Sequence, residues 1–147
     1  MPLRIRLQPR VESNVMSKLS VALPAVLLTC LLGCGAGQTL HVSAIQLGRS
    51  VNPDSTVASF TTRFVPDDSV YLSVLTGGAG SGTISVRWTY AGRVIDEPKK
   101  QVSYRAEAVT DFRLQSSTGF PEGDYTAEVF LNGQSAGTRP FRVDKPR

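Results

Sequence analysis

Apolar and polar residues alternate strictly along two stretches of this chain. From Thr83 to Tyr90 every second side chain is apolar or aromatic, and the side chains between them are polar. Tyr125 to Leu131 repeats the pattern, with Phe130 as the one large apolar residue on the polar side. A two-residue period is that of a β-strand, and one dry face beside one wet face is typical of an antiparallel sheet over a core. No stretch from Thr39 onward has a helical period, so we expect an all-β domain.

Turn residues separate the predicted strands. Asn132-Gly133 is a strong hairpin signal, because a type I′ turn needs positive φ at both central positions. It leads into a last strand, Gln134 to Val143, in which Pro140 predicts an edge position or a bulge. Gly77 to Gly82 predicts a flexible loop between two strands. The other predicted strands are 40–47, 56–64, 69–76, 93–97 and 108–115.

Trp88 and Tyr125 give the predicted sheet a resemblance to an immunoglobulin-like sandwich. Such folds bury a tryptophan on strand C and carry a tyrosine corner near the start of strand F. Tyr125 follows Gly123-Asp124 at the start of a late strand, and the segment Phe120 to Val143 resembles the last hairpin of bacterial immunoglobulin-like domains. Unlike antibody domains, the chain has no cysteine pair around Trp88. The resemblance implies an immunoglobulin-like antiparallel β-sandwich of about seven or eight strands, without a disulfide.

An uncharged apolar run from Leu19 to Leu32 follows Lys18 and ends at Gly33-Cys34. This order of charged, apolar and small residues is typical of a secretory signal, and the run is shorter than the roughly 20 residues of a spanning helix. Leu31-Leu32-Gly33-Cys34 resembles the lipobox of bacterial lipoproteins. The resemblance implies that Cys34 becomes the first residue and carries a diacylglyceryl group, usually with an N-acyl chain such as palmitate. The open alternative is an ordinary signal peptide in which the cysteine is incidental.

The chain is therefore expected to have three parts. These are a leader over 1–33, a lipidated tether over 34–38 and one immunoglobulin-like domain over 39–147. We expect translation to start at Met16, because Met16-Ser17-Lys18 forms a compact positive start while the residues before it are polar. In bacterial lipoproteins an aspartate after the cysteine tends to retain the protein at the inner membrane. Gly35 stands there instead, which favours the outer membrane of the cell envelope.

The charge pattern disfavours nucleic acid as a partner. The chain has 16 Lys and Arg against 12 Asp and Glu, and the leader holds four of the basic residues and one of the acidic ones. The remaining chain therefore has 12 basic and 11 acidic residues, a net charge of about +1. These residues are interspersed, whereas a phosphate backbone is bound by a clustered basic patch.

Residues suited to catalysis or metal binding are few. His41 is the only histidine, and nothing places it in a triad with an acid and a nucleophile. The adjacent acidic pairs, Asp67-Asp68 and Asp96-Glu97, fall at predicted turns or strand ends, where aspartate bonds the local backbone. After Cys34 the chain has one histidine, no further cysteine and no methionine, so zinc and copper sites lack ligands. We expect no enzyme activity, metal or cofactor; a glycosidase-like carboxylate pair and a Ca²⁺ site at Asp67-Asp68 stay open as alternatives.

Phe130, Arg142 and Tyr104 are the candidate binding residues. Phe130 is expected to point out of the sheet with Arg142 packed over it, and an exposed aromatic beside an arginine is typical of an interaction hot spot. The simpler explanation is a surface aromatic covered by an arginine. We expect a module that recognises an envelope protein through a loop end or a sheet edge, with 134–143 as the first candidate strand. The alternative is a module that binds carbohydrate or peptidoglycan on Phe130, Tyr104 or Tyr90.

Overall fold

A computed structural model describes residues 37–146, and all of their regular structure is β. The predicted leader and Cys34 lie outside the described residues. The nine strands are β1 His41–Gly48, β2 Arg63–Phe64, β3 Val70–Gly77, β4 Gly80–Tyr90, β5 Arg93–Asp96, β6 Lys99–Tyr104, β7 Ala108–Leu114, β8 Gly123–Leu131 and β9 Gln134–Val143. Within this part of the chain, no helix could cross a membrane.

The strands form two sheets of unequal width. The small sheet has the order β1-β3-β7, and the large sheet has the order β2-β9-β8-β4-β5. β6 pairs with the first half of β4, on the same side as β5. Every pairing is antiparallel except that of the two-residue β2 with β9, where Arg63 lies opposite Arg142 and Phe64 opposite Val143.

Burial confirms the alternation that predicted the sheet. Trp88 on β4 and Val129 on β8 are fully buried, as are the inward residues beside them. These side chains pack against the inward side chains of the small sheet, such as Leu72 and Phe112. The core therefore lies between the two sheets of a sandwich and is complete within residues 45–143.

The predicted strand 56–64 is wrong except for its end. Only Arg63–Phe64 is a strand, and the residues before it run back beside β1, where the Thr61 amide donates to the Leu47 carbonyl at 3.1 Å. The cause is a turn at Asp54, whose carboxylate accepts from the amide of Thr56 at 3.0 Å and from its hydroxyl at 2.6 Å. That turn redirects the chain before an extended strand can form.

Two further differences concern β4 and β6. Lys99–Tyr104 forms β6 although its sequence is polar, because β6 is an edge strand with exposed side chains on both faces. β4 begins at Gly80, inside the predicted flexible loop, because Gly78 and Ala79 alone turn the chain out of β3. Gly78 has a φ of 75°, a conformation that favours glycine.

The sandwich has two distinct ends. At the tether end β1 begins, and the turns at 78–79, 105–107 and 132–133 lie there; the far end carries the connections 49–62, 91–92 and 115–122. Hydrogen bonds hold the start of the domain at the tether end. The Leu40 amide donates to the Ala79 carbonyl at 3.0 Å, and the Ala79 amide donates to the Gln38 carbonyl at 2.9 Å. A Cβ on Gly78 would overlap the carbonyl oxygens of Gln38 and Thr39. The predicted tether is therefore bound to the domain from Gln38 onward.

Candidate functional site

One flank of the sandwich, between β7 of the small sheet and the β5/β6 side of the large sheet, is closed over only half its length. Near the tether end, side chains of β6 reach across to β7. Lys100 Nζ donates to the Asp111 carbonyl at 2.5 Å and lies 5.1 Å from the centre of the Phe112 ring. Tyr104 Oη lies 2.7 Å from Thr110 Oγ1. These contacts bridge the two sheets at this half of the flank.

Towards the far end the same flank stays open, and we call this half the open flank. β5 is exposed along its whole length, because no strand of residues 37–146 lies opposite it in the small sheet. Behind β5 lies a cleft of about 360 Å³ between the two sheets. Its lining is mostly apolar and aromatic: Tyr90, Ile95, Leu114, Gln115, Ser116, Ser117, Phe120, Pro121 and Tyr125.

Ile95 brings exposed apolar surface to this cleft. Ile95 and Val94 are exposed by 45% and 54%, and among the described residues only Phe60 is also a large apolar residue with such exposure. Val94 lies opposite Thr89, on the outer face of the sheet, whereas Ile95 is the extra residue of a bulge opposite Trp88 and lines the cleft. The bulge therefore turns Ile95 towards the gap between the sheets.

Stacked rings and hydrogen bonds hold the floor of the cleft together. Tyr90 stacks on Tyr125 with ring centres 4.5 Å apart, and Tyr125 stacks on Phe141 at 5.1 Å. Tyr125 Oη donates to the Pro121 carbonyl at 2.6 Å, as in a tyrosine corner, and Tyr90 Oη donates to the Glu122 carbonyl at 3.0 Å. Burial, and then the nearby Tyr90, raises the pKa of Tyr125 to about 12. The phenol of Tyr125 is therefore neutral at physiological pH and acts as a structural donor.

Backbone edges beside the cleft are unpaired. β7 pairs only with β3, so its other edge carries main-chain groups without a strand partner in the described chain. The predicted binding edge, β9, is better protected. The amides of Arg142 and Asp144 donate hydrogen bonds to the carbonyls of Thr62 and Phe64. A bulge lies at Ala136, and Pro140 has no amide hydrogen. Proline, bulges and covering loops are devices that protect a sheet edge from pairing.

The candidate residues of the sequence analysis do not come together. Phe130 lies opposite Ser135, whereas Arg142 lies opposite Asp124 at the other end of the hairpin. The expectation that Arg142 packs over Phe130 is therefore wrong: Arg87 fills this place, with its guanidinium 4.7 Å from the ring centre. Arg87 is on the next strand and on the same outer face, which makes it the nearer cation.

Arg142 and Tyr104 have structural partners of their own. Arg142 bonds to Asp124 at 2.7 Å and Asp144 at 3.1 Å, and the hydrogen bond with Asp124, more than that with Asp144, raises the pKa of its guanidinium. Tyr104 is half-buried and turned towards β7, so it is not an outward aromatic. Phe130, covered by Arg87, is half-buried as well. Cys34, the predicted lipidation site, lies outside the described residues.

The polar candidates for chemistry are also dispersed. His41 is exposed, with its Nδ1 2.9 Å from the Thr39 carbonyl, and Asp68 is paired with Arg49 at 2.9 Å. Glu97 pairs with Arg87 at 3.2 Å, and Asp96 accepts from the amide of Glu97. Residues 37–146 hold no group of three or more side chains placed to bind a metal ion.

Ile95 was not among the predicted site residues, although the sequence contains a signal for it. Arg93-Val94-Ile95-Asp96 follows a glycine turn and places two adjacent β-branched apolar residues in one short strand. Adjacent residues of a strand point to opposite faces, so at least one of them must be exposed in an edge strand. The open flank itself could not be inferred, because it depends on the width of the opposite sheet.

Comparison with solved structures identifies the fold class. No protein family model and no curated protein sequence matches the chain. An immunoglobulin-like protein from Pseudomonas aeruginosa superposes with a TM-score of 0.50 at 13% identity, over 75% of this chain and 100% of that protein. The C-terminal domain of Wzt superposes with a TM-score of 0.50 at 9% identity, over 76% of each chain. At such identities the likeness concerns the fold alone, and it shows that this domain is an immunoglobulin-like β-sandwich. It has no internal disulfide, because no cysteine follows Cys34.

Proposed function

We propose that this chain is a lipid-anchored module of the bacterial cell envelope that binds a protein partner along its open flank. The observation that carries the binding role is Ile95, an exposed apolar side chain on an edge strand, beside a cleft lined by aromatic residues. Exposed apolar surface rimmed by polar residues marks interaction sites on proteins. An unpaired strand edge next to it adds the main-chain groups that bind extended polypeptides.

The anchor rests on the lipobox resemblance at Leu31 to Cys34. Stable anchoring takes two membrane signals, and the diacylglyceryl and N-acyl groups of such lipoproteins provide them. Three residues lie between Cys34 and the bonded Gln38. The four residue steps from Cys34 to Gln38 span at most about 14 Å when extended. On an anchored chain the tether end therefore stays close to the lipid, and the far end stands away from it. Gly35 after the cysteine favours the outer membrane.

The anchor is tested by the mass of the N-terminal peptide of the protein purified from membranes. We expect a peptide that begins at Cys34 and carries three acyl chains, and a Cys34→Ala variant that is absent from the membrane fraction. An unmodified cysteine would contradict the anchor and leave the binding role standing.

The binding role is tested by co-purification after crosslinking in cells. Ile95→Lys places a charge in the cleft, and Val94→Lys is the matched control, because it adds the same charge to the same strand on the outer face. We expect the set of crosslinked proteins to lose a member in Ile95→Lys and to be unchanged in Val94→Lys. Equal crosslinking in both variants would contradict the role of the open flank.

Binding of carbohydrate or peptidoglycan is the second candidate, and Tyr90 is the observation in its favour. One face of its ring stacks on Tyr125, and the residue also lines the cleft. Phe130 and Tyr104 support it less, because Arg87 covers the first and β7 contacts the second. Retention on purified sacculi that falls in Tyr90→Ala but not in Phe130→Ala would favour the glycan over the protein partner.

A further inference from the structure

We propose that the open flank receives an extended segment of the partner protein, which adds to β7 as a fourth strand of the small sheet. The proposal rests on the binding role above and adds to it the position of the segment, its pairing with β7 and its side-chain chemistry. Three independent features of the flank support it: the width of the two sheets, the unpaired backbone of β7 and the charge at the rim.

The small sheet is one strand too narrow for the large sheet that it covers. Three strands face a large sheet that continues beyond β4 into β5. Among the described strands none therefore lies opposite the inward side of β5, and Ile95 keeps 45% of its surface exposed. In the other half of the flank Lys100 and Tyr104 reach β7 and stand in for the missing strand. The gap is consequently limited to the far half, beside Leu114.

The outer edge of β7 presents its main-chain groups to this gap. The Asp111 carbonyl points away from β3, because it accepts a hydrogen bond from Lys100 on the opposite side. In an antiparallel strand the amide and carbonyl of one residue point the same way, and those of the second residue along do so too. The amide and carbonyl of Arg113 therefore also point into the gap, and no strand of the described chain pairs with them.

A segment bound there has defined side-chain requirements. Every second side chain points inward and meets Ile95, Leu114 and the Tyr90 ring, so these positions must be apolar. Arg93 lies opposite Tyr90, on the inward side of β5, and makes no ion pair among the described residues. An acidic side chain at the far-end side of the segment complements it. The partner is thus an extended, alternately apolar polypeptide with one acidic residue.

The test presents such a segment at high effective concentration. A probe of eight residues that begins with glutamate and then alternates threonine with valine is joined through a Gly/Ser linker to the C-terminus of the chain from Gly35 onward. That part is expected to fold alone because its core is complete within 45–143. When the probe pairs antiparallel to β7, its glutamate lies at the far end, beside Arg93, on the same face as its valines. β9 ends at the far end, so a flexible linker holds the probe near the cleft at millimolar effective concentration. The control probe carries a proline in its centre and cannot pair as a strand.

We expect the amide hydrogen of Arg113 to exchange at least about tenfold more slowly with the probe than with the proline control, as for a formed hydrogen bond. Ile95→Lys should abolish this protection, whereas Val94→Lys should retain it. Arg93→Glu should weaken it about two- to fivefold, and a probe beginning with lysine should restore it in that variant. The exchange rates of the core amides of β4 and β8 show that each variant is folded.

Unchanged exchange at Arg113 would overturn the proposal, as would protection that moves to the amides of β9 or to Phe60 on the opposite flank. Failure here would not affect the lipid anchor, which the mass of the Cys34 peptide tests separately. It would also leave open binding of a folded surface to the flank, which the crosslinking at Ile95 reports.

Discussion

Tyr125 Oη donates a hydrogen bond to the carbonyl oxygen of Pro121, four residues earlier in the chain, at 2.6 Å. This bond fixes the 115–122 connection against β8, and the same ring stacks on Tyr90 and Phe141. Tyr125 therefore joins the core to the floor of the cleft. One side chain thus contributes both to the stability of the fold and to the shape of the proposed binding site.

Removal of that hydroxyl should destabilise the domain. Tyr125→Phe leaves the Pro121 carbonyl without its donor, and we expect the free energy of unfolding to fall by about 1 kcal/mol, up to about 3 kcal/mol if the carbonyl stays dry. Tyr90→Phe is the control, because the bond from Tyr90 to Glu122 is exposed to solvent. Urea unfolding of both variants measures the difference, and equal losses would contradict the structural role of the corner.

The raised pKa of Tyr125 predicts a loss of stability in alkali. The folded state keeps this phenol protonated to about pH 12, whereas an unfolded chain releases the proton near pH 10. The unfolded state therefore binds fewer protons above pH 10, and the free energy of unfolding falls as the pH rises from about 10 to 12. Urea midpoints across this range should fall less steeply in Tyr125→Phe, and parallel curves for wild type and variant would count against the shift.

Gly78 should hold the start of the domain in place. Gly78→Ala strains a residue with a φ of 75° and pushes its Cβ into Gln38 and Thr39, so the Leu40 and Ala79 amides should exchange faster. Gly133→Ala is the matched control: its φ is 79°, but its Cβ would meet nothing within 4 Å. Positive φ costs each alanine roughly 1–2 kcal/mol. Exchange at Leu40 that rises equally in both variants would show that strain alone is responsible.

Arg87, not Arg142, should determine the environment of Phe130. Arg87→Ala removes a guanidinium 4.7 Å from the centre of the Phe130 ring. We expect the free energy of unfolding to fall by about 0.5–1 kcal/mol and the NMR resonances of the Phe130 ring to shift. Arg142→Ala should leave those resonances in place, because its ion pairs lie at the other end of the hairpin. Ring shifts that follow Arg142 would contradict the observed pairing.

Much of the fold could be predicted from local pattern. Alternation predicted β4 and β8, Asn132-Gly133 predicted the hairpin that joins β8 to β9, and Trp88 with Tyr125 indicated the immunoglobulin-like sandwich. Each of these features can be recognised within a single strand or turn, so a short segment of sequence is enough to predict it. The prediction of a strand over 56–64 was wrong because the conformation of this segment depends on residues outside it. Its residues have strand-like composition, but the turn at Asp54 and the partner strand decided their conformation.

The candidate site was much less accessible to prediction. Phe130 was correctly placed on the outer face, but its cation partner depended on which strands are neighbours, and β4 supplies Arg87. The exposure of Ile95 depends on a bulge and on the absence of a strand opposite β5, and both are properties of the assembled sheets. The relative width of two sheets cannot be predicted from the spacing of residues in the sequence.

The most direct test of the account is photo-crosslinking in cells from a photoreactive side chain at position 95, compared with one at Thr126 on the outer face of the large sheet. We predict one recurrent protein adduct from position 95, absent from position 126 and lost when Cys34 is replaced by alanine. Adducts that form equally from both positions, or that persist without Cys34, would contradict a lipid-anchored module that binds its partner along the open flank.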